Sequence, residues 1–195
     1  MSKQIECLFG AVPDTLEAFV TASQISQAEA VKFFIERMRN AKWERTGVIW
    51  WNLIDGWPQI SDAAVDYYYR KKRAFSYIKR SQQPLCLMFR EPENGKIMLV
   101  GANEFLNDHA VSYTVTDIDT QAAVCCGETV LSANSVTEIA EIPYAENEQH
   151  FYLITWFGKS EKGLNHYLCG KMPFDLKKYL FWLESSGLQT NETCE

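Results

Sequence analysis

A single aromatic run decides the predicted fold: Trp50-Trp51-Asn52-Leu53-Ile54-Asp55-Gly56-Trp57-Pro58. Residues 46–53, which include the first four residues of this run, are mostly apolar on both faces. Such a pattern is typical of a parallel strand buried between layers of helices. Gly56, Pro58 and Ser61 then favour a loop. The stretch therefore predicts a buried strand that ends in a loop rich in aromatic and acidic side chains.

Helical patterns flank this stretch on both sides. Upstream, Asp14 and Glu17 form an acidic capping box, and apolar residues recur at helical spacing, which predicts an amphipathic helix at about 14–39. Downstream, a second helix is predicted at roughly 67–82, and Pro84 ends it. One strand between two helices has no sheet to join. Either the strand pairs with something absent from this chain, or the region is an excised piece of a larger barrel.

After Pro84 the pattern changes to short alternating strands. Seven runs are predicted as strands, at 85–90, 96–103, 110–117, 122–131, 136–142, 150–157 and 164–169. Asn94-Gly95, between the first two runs, is a hairpin-turn signal. Seven short strands in about 85 residues predict a β-sandwich of immunoglobulin-like size. Residues 173–183 are predicted to form a short helical or extended cap, followed by a polar tail.

Composition and charge exclude several classes of partner. The formal net charge is −6, and the best basic stretch, Arg70 to Arg73, is short and reads as one solvated helix face. No apolar stretch reaches the roughly 20 residues of a membrane span. We therefore expect neither nucleic acid nor a membrane as a partner.

The cysteine and histidine positions predict neither a metal site nor another cofactor. Six cysteines, at 7, 86, 125, 126, 169 and 194, include no CxxC pair, and the three histidines lie far from metal-ligand spacing. Free thiols are typical of a reducing compartment, and residues 1–6 do not form a signal peptide. These features favour a cytoplasmic location for this chain and leave the location of a parent protein open.

The densest group of chemically useful side chains lies between Trp50 and Asp66. Rings in this stretch could stack on a sugar while Asn52 and Asp55 hold its hydroxyls, at the end of a barrel strand where catalytic sites lie. The competing interpretation is a core strand whose aspartates form turns and caps. Pairing Asp55 with Asp62 or Asp66 as acid and base needs a separation of about 5–9.5 Å, which spacing does not establish. No catalytic residue is predicted.

At these residues the chain resembles glycoside hydrolase family 2, most closely its β-mannosidase-like branch. The matches to the branch's last barrel strand and following loop are Trp51, Leu53, Asp55, Trp57, Pro58, Ser61, Asp66, Tyr67, Tyr68 and Lys72. Ser23-Gln24-Ile25 and Gln27-Ala28-Glu29-Ala30 match the preceding helix. The resemblance covers about 9–184. Asn52 and Ile54 depart from the branch, and Trp51-Asn52-x-x-Asp55 also resembles the β-glucuronidase side of the family, so the sugar is left open.

The resemblance implies a fold class with two parts. Residues 1–83 would be an α/β remnant, the last strand and flanking helices of a (β/α)8 barrel. Residues 84–195 would be an all-β, immunoglobulin-like sandwich with a C-terminal cap and polar tail. The truncated edge of the barrel would favour self-association.

The resemblance also implies a function. Family members are retaining glycosidases whose two catalytic glutamates end the fourth and seventh barrel strands, and no glutamate here falls on those positions. The chain is therefore expected to be the C-terminal part of a glycosidase for β-linked substrates, most closely β-mannosides, and to be inactive alone. Trp51 would line the subsite of the cleaved sugar, and Asn52, Asp55 and Trp57 would shape it. The alternative is a non-catalytic carbohydrate-binding or structural accessory module.

Overall fold

The computed structural model describes residues 1–159 and 161–188, so the predicted polar tail and Cys194 lie outside the described residues. By its internal contacts the chain divides into two compact units. The helical unit contains residues 1–35, 48–79 and 172–188, and the sandwich unit contains 36–47 and 80–171. This division reflects contacts alone, so the proposed boundary between a barrel piece and a sandwich at 83/84 stays a prediction.

The described residues form four helices and seven strands. The helices are α1 (Ser2–Phe9), α2 (Leu16–Asn40), α3 (Arg73–Ser81) and α4 (Leu176–Ser185). The strands are β1 (Leu85–Phe89), β2 (Lys96–Asn103), β3 (His109–Asp117), β4 (Ala122–Leu131), β5 (Ser135–Pro143), β6 (His150–Gly158) and β7 (Lys162–Cys169). All seven predicted strands are confirmed, with ends that differ by no more than two residues.

The sandwich unit consists of two antiparallel sheets, with strand orders β1-β2-β5 and β4-β3-β6-β7. In β3, Val111, Tyr113 and Val115 are buried while Ala110 and Ser112 are exposed, as expected when one face of a sheet meets the core. The hairpin predicted at Asn94-Gly95 is confirmed, since both residues have positive φ angles of 52° and 73°. The predicted β-sandwich is therefore present.

A close approach inside the sandwich unit requires a glycine. Gly163 of β7 lies directly opposite Trp156 of β6. A side chain at residue 163 would overlap the Trp156 ring, which is only 1% exposed. The missing side chain thus makes room for the largest aromatic ring of the sandwich core.

The helices of the helical unit agree with the sequence in part. The helix predicted at about 14–39 is α2, whereas the helix predicted at roughly 67–82 is only α3, Arg73–Ser81. Helix α1 was not predicted from the sequence. It has eight residues and no side-chain cap at its start, so it carries little local signal. Its end is marked by Gly10, whose φ of 78° is the left-handed conformation that favours glycine.

The predicted C-terminal cap is helix α4, and its contacts lie in the helical unit. Asp175 caps its start by accepting a hydrogen bond from the Lys178 backbone N–H at 2.7 Å. The hydroxyl of Tyr179 donates to the Glu29 carboxylate of α2 and lies 2.8 Å from the hydroxyl of Tyr77 in α3. Three helices therefore meet at one buried tyrosine.

The structure differs from the sequence prediction at residues 46–53, which form no strand. An isolated parallel bridge between Ile54 and Val65 is what remains of strand pairing there. Ile49 is 99% exposed and Trp51 is 81% exposed. A parallel strand needs hydrogen-bonding neighbours along its length. Among the described residues, main-chain hydrogen bonds from residues 64 and 65 reach only the end of this stretch, at the Asn52 and Leu53 carbonyls. The apolar pattern is present, but the residues that the structure describes form no sheet that would bury it.

Candidate functional site

Residues 49–69, here called the aromatic loop, fold back on themselves through main-chain hydrogen bonds. The Ala64 N–H donates to the Asn52 carbonyl at 3.0 Å, and the Asp55 N–H donates to the Val65 carbonyl at 3.1 Å. Just beyond the loop, the Lys72 N–H donates to the Ala64 carbonyl at 2.8 Å. Three short pieces of backbone thus run side by side and give the loop a defined shape.

Asp55 lies at the centre of this arrangement. Its side chain has no exposed surface. Oδ1 accepts hydrogen bonds from the Ser61 hydroxyl and from Gln59 Nε2, the latter at 3.0 Å. Oδ2 faces Lys72 Nζ at 3.3 Å, and the same ammonium donates to the Ser61 carbonyl at 3.0 Å. Both carboxylate oxygens are therefore engaged within the loop.

The electrostatics keep Asp55 ionised. The hydrogen bond from Ser61 contributes most to lowering the pKa of Asp55 below its ordinary value, and burial opposes it. Gln59 and Lys72 lower the pKa further. A carboxyl group with a lowered pKa carries no proton to donate near neutral pH. Asp55 therefore does not fit the role of a general acid.

Asp66 shapes the turn that follows. Its carboxylate accepts hydrogen bonds from the backbone N–H groups of Tyr68 at 2.8 Å and Arg70 at 2.9 Å. It also accepts one from Arg70 Nε at 2.7 Å. This is the turn-forming role that aspartate commonly plays.

The two predicted tryptophans face outward. Trp51 is 81% exposed and Trp57 is 64% exposed. Asn52, joined to Trp51 by a cis peptide bond, is half-buried, and its Nδ2 donates to the Ile54 carbonyl at 3.2 Å. Other large exposed side chains of the loop are Ile49, Leu53, Ile54, Ile60, Tyr67, Tyr68 and Tyr69. The loop therefore combines a buried charged centre with an apolar outer surface, which is the kind of surface that marks a binding site.

Ser61 and Lys72 received no role in the site from the sequence, and Gln59 was not singled out. Ser61 and Lys72 fell on the family pattern, while Gln59 did not. Lys72 was interpreted as part of a solvated helix face, yet it lies just before α3 and its side chain is only 16% exposed because it points toward Asp55. The signal that could have found it is the match of Lys72 to the same pattern as Asp55.

No group of three or more His, Cys, Asp or Glu side chains in residues 1–159 and 161–188 is arranged to hold a metal ion. Cys7, Cys125, Cys126 and Cys169 carry free thiols; Cys169 is buried and Cys125 is half-buried, whereas Cys7 and Cys126 are exposed. Over the same ranges, the helices are too short or too polar to cross a membrane.

Comparisons with known proteins identify what the chain is similar to. No protein-family model matches it. β-Mannosidase B from Emericella nidulans and its counterpart from Aspergillus flavus are each 39% identical over 79 residues, which is 38% of this chain and 9% of the enzyme. The solved β-D-mannosidase of Dictyoglomus thermophilum matches 90% of the chain with a TM-score of 0.75 and 22% identity. An exo-chitosanase of Amycolatopsis orientalis matches 87% with a TM-score of 0.68 and 16% identity.

The matches cover only a small part of each relative. The chain spans about 9% of the length of the curated β-mannosidases and 22% of the solved one. The solved structures share its fold, and the curated sequences relate it to glycoside hydrolases. The predicted resemblance to the β-mannosidase-like branch of family 2 is confirmed by the curated sequences over those 79 residues.

Proposed function

We propose that this chain is the C-terminal part of a retaining glycoside hydrolase for β-linked glycosides, most closely β-mannosides, and forms one wall of its sugar pocket. The observation that carries the proposal is the pair of outward-facing rings, Trp51 and Trp57, on a loop held from inside by a buried carboxylate. Aromatic rings stack on the apolar faces of sugars. Asn52, beside Trp51, would offer its amide to a sugar hydroxyl.

Residues 1–83 are proposed to be the end of a (β/α)8 barrel, and residues 84–195 the sandwich with its C-terminal cap. The cap helix α4 has its contacts in the helical unit. The support is the stretch 46–53, which is apolar on both faces, as a barrel strand must be between its neighbours, and in which Ile49 and Trp51 are exposed. The loop that follows would then lie at the strands' C-terminal ends, where the active sites of such barrels lie. The sandwich would brace the barrel.

The chemical step is proposed to belong to glutamates outside this chain. Of the four residues predicted to bind substrate, the two tryptophans and Asn52 would contact and orient the sugar. Asp55 is buried and ionised, and so would neither donate a proton nor attack the sugar. The contribution of this chain would be binding and orientation of the substrate.

The runner-up function is a carbohydrate-binding module that works without catalysis. The same exposed rings favour it, because Trp51 and Trp57 are accessible without any further part of an enzyme. Calorimetry with manno-oligosaccharides separates the two functions. Tight binding by the free chain that Trp51→Ala abolishes would favour the module, whereas one wall of a pocket binds only weakly.

The proposal predicts that the purified chain does not hydrolyse an aryl β-mannoside. Without the two carboxyl groups that act as acid/base and nucleophile, release of the aryl group should not exceed the rate in buffer. The assay follows the released phenol spectrophotometrically, with the Trp51→Ala variant as a control for contaminating enzyme. Saturable turnover by the chain that Trp51→Ala removes would contradict the assignment of catalysis to residues outside it.

A further inference from the structure

The partners of the buried Asp55 carboxylate come from two places along the chain. Gln59 and Ser61 lie within the aromatic loop, and Lys72 lies after it. The Lys72 ammonium also reaches the Ser61 carbonyl at 3.0 Å, so one cation bridges the carboxylate and the loop backbone. The side chains therefore join the start, middle and end of the stretch 55–72.

We propose that Asp55, Ser61 and Lys72 are positioning residues that close the aromatic loop, and that Asp55 is not a sugar ligand. The loop they close presents Trp51 and Trp57 on its outer surface. The sugar-facing role of those rings rests on the proposed function. The closure itself rests only on the contacts within the loop.

The main chain and the side chains close the same ring. The Asp55 N–H is bonded to the Val65 carbonyl, and the Lys72 N–H is bonded to the Ala64 carbonyl. Residues 55 and 72 are thus both attached to the same central backbone piece and then to each other through their side chains. Loss of either charge would remove the cross-link between the outer pieces.

The environment of Asp55 leaves no place for a sugar hydroxyl. Its side chain has no exposed surface, and each carboxylate oxygen already accepts at least one hydrogen bond. Asn52 differs, because it is half-buried and its side chain makes only one hydrogen bond within the described part of the chain. Among the polar residues predicted to bind substrate, Asn52 is therefore the one positioned to reach a ligand.

Breaking the pair should be worse than removing both charges. Lys72→Met leaves a buried carboxylate without its cation, and an unpaired buried charge is strongly unfavourable. The double variant Asp55→Asn/Lys72→Met removes the charge as well as the cation. Lys72→Arg retains a cation that can still face the carboxylate.

Hydrogen exchange of the full 195-residue chain tests this closure. The reporters are the N–H groups of Asp55, Ala64 and the residue at position 72, each of which is bonded to a backbone carbonyl of the loop. In Lys72→Met we expect these amides to exchange at least tenfold faster, with partial recovery in the double variant and near-normal exchange in Lys72→Arg. Amides of β3 and β6 serve as the folding control and should not change. Unchanged exchange of the loop amides in Lys72→Met would overturn the inference.

A pH series adds a readout that a purely structural contact would not give. Since the pKa of Asp55 is lowered in the closed loop, with Ser61, Gln59 and Lys72 as the groups facing it, closure is stabilised above about pH 4. That stabilisation is lost as the pH falls through the lowered pKa. After correction for intrinsic exchange, wild-type loop protection should decrease in acid, and Asp55→Asn should flatten this dependence. An identical acid profile in Asp55→Asn would count against the proposed role.

Failure of this inference is distinguishable from failure of the proposed function. One outcome is that Lys72→Met opens the loop, but methyl β-D-mannoside protects neither Trp51 nor Trp57 of the wild-type chain from oxidation. In that case the positioning role stands and the sugar-facing role fails. The other outcome is that in Asp55→Asn the sugar no longer protects the two tryptophans from oxidation, while the loop amides exchange as in the wild type. In that case Asp55 is a direct ligand of the sugar and the inference is wrong.

Discussion

Replacing Trp182 with alanine is expected to lower the free energy of unfolding of the helical unit by about 3–5 kcal/mol. Trp182 lies on α4 and is fully buried. Its ring meets Phe174 edge-on at 6.4 Å, and the Lys178 ammonium lies over it at 4.7 Å. Alanine would leave a cavity the size of an indole ring, which a close-packed interior does not fill by relaxation.

The neighbouring residue offers a matched control for this prediction. Phe181 is on the same helix and is 54% exposed, so Phe181→Ala should change the unfolding free energy by less than about 1 kcal/mol. Urea unfolding followed by circular dichroism gives the stability of both variants. Hydrogen exchange then locates the loss, which should fall in α2 and α3. A loss confined to the sandwich strands would contradict the assignment of α4 to the helical unit.

We propose that the aromatic loop associates with a second copy of the chain. Replacing Ile49 and Ile60 together with serine should then weaken this self-association at least about a hundredfold. The two side chains are 99% and 87% exposed on the aromatic loop, an apolar surface that a second copy would cover. Full burial of one isoleucine contributes about 1.5–3 kcal/mol, and each 1.4 kcal/mol is a factor of ten in the dissociation constant. Sedimentation velocity over a concentration series measures the change.

The sandwich unit supplies the control for this second prediction. Leu106 is 83% exposed, so Leu106→Ser removes an equally accessible apolar side chain from the other compact unit. It should leave the dissociation constant unchanged. Equal effects of Leu106→Ser and the isoleucine pair would mean that association is non-specific and not a property of the aromatic loop.

The sandwich could be predicted from the sequence because its signals are local. Val111, Tyr113 and Val115 alternate with polar or small residues, and Asn94-Gly95 requires a tight turn. The strand predicted at 46–53 was wrong for the opposite reason, because a strand depends on distant neighbours. A pattern that is apolar on both faces states what a strand needs on each side but does not say whether the neighbouring strands are present. The location of α4 was equally hidden, since an amphipathic helix does not identify the surface it packs against.

The sequence predicted which residue types form the candidate site, but not whether each side chain points out of the loop or into it. Trp51 and Trp57 were expected at a binding surface, and their side chains face outward. Asp55 was expected beside them, but its side chain lies inside the loop because Ser61 and Lys72 are there to receive it. Sequence spacing does not predict that the Asp55 side chain points inward, since an irregular loop has no periodic pattern that assigns a residue to an inner or outer face.

Tryptophan oxidation in the presence of sugar tests the central claim most directly. The chain is treated with N-bromosuccinimide with and without methyl β-D-mannoside, with inositol as the control polyol, and each tryptophan is quantified by peptide mass spectrometry. One pocket wall should bind with a dissociation constant on the order of 10 mM, about 3 kcal/mol of binding free energy. We predict that the sugar protects Trp51 and Trp57 and leaves Trp43, which is 75% exposed on the sandwich unit, unprotected. No protection of Trp51 at saturating sugar, or equal protection of Trp43, would contradict the account.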